Sequence, residues 1–243
     1  ALIFPPSLQE TTARSDHPLA LWTRQQHSAG ALACSVCGGA FWLGHAGLLD
    51  GRPATTHWRL EEDFRTAFPK ADLQPEHILI DSGSVITAGG LLAWTDLGLH
   101  LAGLWYGAGM VSALARNLLI DPAGREQRHY AGFRPPLSHG DAAVLKVQRM
   151  METDLAAPLP VEAMAAQAGL ALRSFIRRFQ SATGHTPAAY LQALRIERAR
   201  ALLESTAQPV SAVAWAVGYR DVPAFSRAFK SRTGLTPGAC RAR

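Results

Sequence analysis

Apolar positions in the first half of the chain fall into two kinds of run. Residues 1–4, 31–35, 77–81 and 84–87 are short, continuous and rich in Ile, Val, Leu and Ala, which predicts buried strands, the last two joined at Ser82-Gly83. Residues 54–56 are short and extended. Residues 18–27, 39–49 and 59–68 space their apolar side chains as helices do, the second closed by Asp50-Gly51 and the third by Pro69. Two more helices are expected between Leu91 and Leu119. Strands alternating with helices predict an α/β fold: a parallel sheet with helices on both faces.

Residues 132–140 break every periodicity with Gly, Pro, Ser and His, and are expected to be a linker between domains at 1–131 and 141–243. Beyond Asp141 the spacing is helical throughout. Residues 141–155 form a helix with Ala143, Val144, Val147, Met150 and Met151 inward. Then one pattern is written twice. Phe175, Arg177, Phe179, Ser181, Thr183, Gly184, Thr186 and Pro187 recur fifty positions later as Phe225, Arg227, Phe229, Ser231, Thr233, Gly234, Thr236 and Pro237. An alanine-rich helix ending in glycine precedes each copy, at 160–168 and at 210–217. Helix, glycine turn and arginine-bearing helix, in tandem, give an all-α domain of two helix-turn-helix units. Residues 190–204 are long enough to bridge them rigidly.

In each second helix the phenylalanines at i and i+4 face inward, which turns other positions toward a partner. In the first unit these are Arg173, Ile176 and Arg177, with Arg178 beside them for phosphates. In the second they are Val222, Ala224 and Arg227, with Ser226 and Lys230 nearby. Charge agrees: residues 1–140 carry 10 Lys+Arg against 12 Asp+Glu, residues 141–243 carry 14 against 7. A net +7 on the repeat-bearing half is the footprint of a nucleic-acid binder, and tandem helix-turn-helix units can place two recognition helices on one face of double-stranded DNA.

Residues 141–243 resemble the DNA-binding domain of AraC/XylS-family transcription regulators. The resemblance rests on Ala214-Trp215-Ala216-Val217-Gly218-Tyr219, Phe225-Ser226-Arg227-Ala228-Phe229-Lys230, Gly234-Leu235-Thr236-Pro237 and the bridging run from Leu194 to Leu203. Two departures stand out. Ala171 occupies the position of a capping Ser or Thr, and Cys240 that of a tyrosine.

The other chemistry is cysteine. Cys34-Ser35-Val36-Cys37 has C-x-x-C spacing with no second pair to close a zinc site, so no metal or cofactor is implied. Cys34, Cys37 and Cys240 make no disulfide framework, and a bacterial cytoplasm is expected. The most apolar stretch, 91–111, is interrupted by Asp96 and His100 and predicts buried helix rather than a membrane span. Cys37 falls where strand turns into helix, a position that predicts a lowered thiol pKa, and His57 is a partner in reach of the same bend.

This half is similar to PfpI-type, class I glutamine amidotransferase-like domains, and to the GlxA-like branch of AraC regulators. The matching segments are Ser35-Val36-Cys37-x-Gly39-Ala40-Phe41, 46–52, Ala54-Thr55-Thr56-His57-Trp58 and Asp96-Leu97-x-Leu99-His100. The resemblance implies a flavodoxin-like sheet, here partial, because the chain opens on a strand without methionine and the first strands of that domain are expected to be missing. The superfamily's supporting carboxylate belongs to those strands. Gly38 replaces a threonine and Pro5-Pro6 a glycine pair, so Cys37 and His57 are expected to be a vestigial or ligand-pocket pair rather than catalytic. Two functions stay open: a regulator whose first domain senses an unknown small-molecule effector or forms a homodimer, and a cysteine-dependent amidase or hydratase with an appended helical domain.

Overall fold

The computed structural model describes residues 1–7, 15–121 and 126–242, apart from the side chain of Arg128. The chain divides into two compact units, Ala1–Ala131 and Gly132–Arg243.

In the first unit, β1 (Leu2–Phe4), α1 (Pro18–Ser28), β2 (Ala33–Val36) and α2 (Ala40–His45) follow in order. Next come β3 (Pro53–Ala54), α3 (Glu61–Ala67) and β4 (Asp72–Leu73), then β5 (Leu79–Asp81) and β6 (Val85–Ala88), then α4 (Trp94–Tyr106) and α5 (Ala108–Leu118). The sheet runs β1-β2-β6-β5, and β3 pairs with β4 in a separate two-stranded ladder. β1, β2 and β6 are parallel, with Cys34 opposite both Ile3 and Ile86. All four residues of β2 and of β6 are buried, so both faces of the sheet's centre are covered, as a parallel sheet requires.

The parallel sheet expected from the sequence is present, with one antiparallel edge. β5 runs antiparallel to β6, because a three-residue link cannot make a parallel crossover. Gly83 takes φ +83° there, and its N–H donates to the Asp81 carboxylate at 2.8 Å. The helix expected at 39–49 is also shorter: a 3₁₀ turn, Cys37–Gly39, precedes α2, and Gly47 at φ +72° ends it early. β4 carried no recognisable pattern in two residues.

The second unit is helical: α6 (Ala142–Thr153), α7 (Val161–Gln167), α8 (Leu172–Thr183), α9 (Pro187–Ser205), α10 (Val210–Ala216), α11 (Val222–Thr233) and α12 (Pro237–Arg241). α12 was not anticipated; Thr236 caps it through Ala239 N–H, with proline in the first turn, as Thr186 and Pro187 do for α9. Two cores form. One gathers Val144, Val147, Met151, Met164, Phe175, Phe179 and Tyr190; the other gathers Ile196, Ala199, Leu203, Val213, Phe225, Phe229 and Cys240. Residues 132–140 are not a free tether. Phe133 packs edge-on against Tyr190 at 5.0 Å and its N–H donates to Glu197, while Gln148 donates to Pro136 O and to Tyr190 Oη. Burial pushes the Tyr190 hydroxyl up to about 12.

Gly169 and Gly218 occupy equivalent turns at φ +67° and +85°, but their surroundings differ. A Cβ at 169 meets nothing, whereas one at 218 would lie 2.7 Å from Leu155 O and 2.9 Å from Arg195 Nη2. In urea unfolding of the full chain, Gly169→Ala should cost about 1 kcal/mol, the strain of a left-handed alanine, and Gly218→Ala clearly more. Equal losses would remove the close approach at Gly218 from the account.

Candidate functional site

The two helix-turn-helix units repeat bond for bond. In the first, Gly169 and Leu170 N–H groups return to Ala166 O and Ala165 O, both at 3.0 Å. In the second, Gly218 and Tyr219 return to Trp215 O and Ala214 O at 3.0 and 2.9 Å. The phenylalanine pairs of α8 and α11 are fully buried, with ring centroids 5.5 and 5.7 Å apart. Both helices end on a left-handed glycine, Gly184 or Gly234. Thr183 and Thr233 each donate to the carbonyl four residues back and accept from the N–H two residues on.

Burying one stripe leaves another exposed. On α8, Arg173, Ile176, Arg177, Gln180 and Ser181 line one open depression. On α11, Arg227 and Lys230 are exposed and Ala224 and Ser226 half-buried. The starts of the two helices differ. Asp221 caps α11 by accepting from Ala224 N–H at 2.9 Å, while Ala171 offers α8 no side-chain acceptor.

In the first unit, Cys37 takes φ +56°, one of two non-glycine residues in the left-handed region among those described. The strained bend expected between strand and helix is there. Its thiol is fully buried and lies 3.3 Å from Ser7 O, to which it donates, and Thr56 Oγ1 donates to Cys37 O at 2.9 Å. The lowered thiol pKa expected from the sequence is corrected: burial pushes Cys37 up, although backbone hydrogen bonds pull the other way. α2 is only six residues long, and the sulfur faces inward rather than toward solvent. Cys34, inside β2, is pushed up to about 11, also by burial. His57 turns its Nδ1 to Arg59 N–H at 3.1 Å and stacks on Trp58, and it is not a hydrogen-bond partner of Cys37.

Comparison with known proteins agrees with both halves. Residues 7–102 match the model of the DJ-1/PfpI family, and residues 164–243 match a helix-turn-helix domain model. The HTH-type transcriptional regulator GbdR of Pseudomonas aeruginosa is 30% identical over 218 residues, which cover 88% of this chain and 57% of that protein. GlxA of Rhizobium meliloti, also an HTH-type transcriptional regulator, is 32% identical over 86% of this chain and 64% of its own length. ArgR of Pseudomonas aeruginosa, a third such regulator, is 28% identical over 94% of this chain and 69% of its own length. The chain thus spans between about half and two thirds of the relatives it matches.

The chain joins a DJ-1/PfpI-family domain to an AraC-type helix-turn-helix domain.

Within the AraC-type domain, three expected contact residues sit differently from the reading of the sequence. Arg178 is not a free phosphate ligand: its Nε and Nη2 grip both oxygens of Asp141 at 2.9 and 2.8 Å. Hydrogen bonding to that guanidinium holds the Asp141 carboxyl below its usual range while the same carboxylate caps α6. Ile176 and Val222 are half-buried and rest on their respective cores, because each lies one helical turn before an inward phenylalanine. Gln180 was missed. It is polar, exposed and three residues beyond Arg177, a spacing that would have found it.

Within the DJ-1/PfpI domain, the raised thiol sets the reactivity. At pH 7.5, iodoacetamide should label Cys37 more slowly than an unstructured cysteine. The rate should climb about tenfold per pH unit until the pH passes the thiol's raised pKa, since only the thiolate reacts. The sign follows from burial favouring the neutral form. Rapid labelling of Cys37 at neutral pH, ahead of Cys34 and Cys240, would contradict this.

Proposed function

We propose that the chain acts as a sequence-specific, double-stranded-DNA-binding transcription regulator, with α8 and α11 as paired recognition helices. The observation that carries this reading is the repetition of one capped Phe-x-Arg-x-Phe helix on a common bridging helix, presenting Arg173 and Arg177 from one unit and Arg227 and Lys230 from the other. The +7 charge of this half and the naming of the relatives as transcriptional regulators support it. The first unit is a sensing domain for a small-molecule effector. A cysteine-dependent amidase is disfavoured because Cys37 donates its proton to a backbone carbonyl and, among the described residues, no histidine is bonded to it.

On an operator selected from random DNA, Arg177→Ala and Arg227→Ala should each weaken binding by about 1–3 kcal/mol and relax sequence preference. Lys230→Ala should weaken all sequences alike and reduce the salt slope by about 1. Arginine variants with unchanged affinity for the selected operator would defeat the assignment of recognition helices.

A homodimer is the second part of the reading. α4 and α5 expose Trp94, Leu104, Trp105, Tyr106, Met110 and Leu118, and of the eleven residues of α5 only Ala115 is buried. These side chains offer on the order of 600 Å² of apolar surface, close to the ~800 Å² that each partner of a standard interface buries. Charge is sparse there, with Asp96, His100 and Arg116 alone along α4 and α5, which suits a second copy of the same face. Sedimentation of the full chain should show a dimer that Trp105→Glu converts to monomer. A monomeric parent protein at micromolar concentration would remove the second copy from the reading.

A further inference from the structure

Gln127 is a polar side chain 2% exposed in the first unit, and nothing in the DNA-binding reading uses it. Its Nε2 donates to Thr56 O at 2.7 Å, His77 O at 3.0 Å and Thr55 Oγ1 at 3.1 Å, and its Oε1 accepts from Trp58 N–H at 3.2 Å. Thr55 and Thr56 are themselves fully buried. Gly89, just past the end of β6, leaves the space the amide fills; a Cβ there would overlap Gln127. The four hydrogen-bond partners and Gly89 all lie within residues 55–89, and the group that fills the slot arrives from a later segment. The slot lies at the carboxyl end of β6, and Thr56 connects it to the carbonyl of Cys37 at the end of β2. Ligands of open α/β sheets bind at the carboxyl ends of parallel strands.

The geometry points to a binding slot for a primary carboxamide, occupied in this structure by the chain's own Gln127, which an amide-bearing effector displaces. This rests on the reading of the first unit as a sensing domain. The slot's polarity defines the ligand. Two carbonyls and a hydroxyl oxygen surround the nitrogen and one N–H faces the oxygen, so an amide satisfies it and a carboxylate would set a charge against two carbonyl dipoles. Displacement has a route to the rest of the chain. Gln127 opens a 3₁₀ turn, Gln127–His129, Glu126 bridges to His77, and the first unit ends at Ala131. Expelling Gln127 therefore unpins the segment that leads into the second unit.

The test uses the full chain with Gln127→Gly and propionamide, which matches the deleted side chain atom for atom. Propionamide should raise the thermal midpoint of the variant saturably, propionate should not, and the parent protein should need at least tenfold more amide for the same shift. Should the glycine variant not fold, Gln127→Ala with acetamide repeats the comparison. No saturable shift, or an equal one with propionate, would overturn the slot. Operator affinity measured on the same samples separates the two claims: a slot that fills while DNA binding stays constant would remove the sensing reading and leave the slot standing.

Discussion

The second unit depends on α9 being a shared wall. Its nineteen residues span about 28 Å at 1.5 Å per residue. Tyr190, Leu191 and Leu194 enter the first core, and Ile196, Ala199 and Leu203 enter the second. At about 100° per residue these two sets point to nearly opposite sides of the helix. Neither helix-turn-helix unit can therefore shift without unpacking the same helix. Arg195 sits between the two sets and locks the joint: it donates to Leu155 O and Ala157 O at 2.8 and 2.9 Å, and Gly218 of the second turn leaves it room. Burial pulls this guanidinium below its ordinary pKa, yet its carbonyl partners compensate the lost water.

Fixing the cores fixes the recognition faces. α8 carries Arg173 and Arg177, and α11 carries Arg227, on the side opposite the buried phenylalanines, so a rigid α9 sets the distance and angle between the two faces. On the reading proposed for this domain, DNA meets one preformed surface rather than two independent ones, and less ordering entropy opposes binding. In the first unit the same economy of buried polar contacts holds. Gln127 satisfies three acceptors and one donor, and Cys37 is held by Ser7 and Thr56, so the residue that looked reactive is part of a closed network.

What the sequence revealed follows from the range of each interaction. The repeat, the glycine turns and the inward Phe pairs are local patterns within a dozen residues, and all were legible. So was the hairpin at Ser82-Gly83, whose brevity forbids a parallel pairing of its two strands. Arg178 was misread because its partner, Asp141, lies 37 residues away. Gln127 was invisible because its four partners lie 50 to 72 residues upstream. α9 carries no single apolar stripe, since its two halves bury opposite sides, and periodicity alone shows a long helix without showing why it is rigid. The thiol of Cys37 was misjudged for a related reason: position at a bend is local, but burial is not.

Hydroxyl-radical footprinting of the full chain on a selected operator tests the rigid joint most directly. Two recognition helices fixed by α9 predict two protected tracts on one face of the duplex, about one helical turn of ~10 base pairs apart. Inserting about half a turn between the tracts should abolish the joint footprint. A single tract, or two tracts that tolerate the insertion without loss of affinity, would contradict the account.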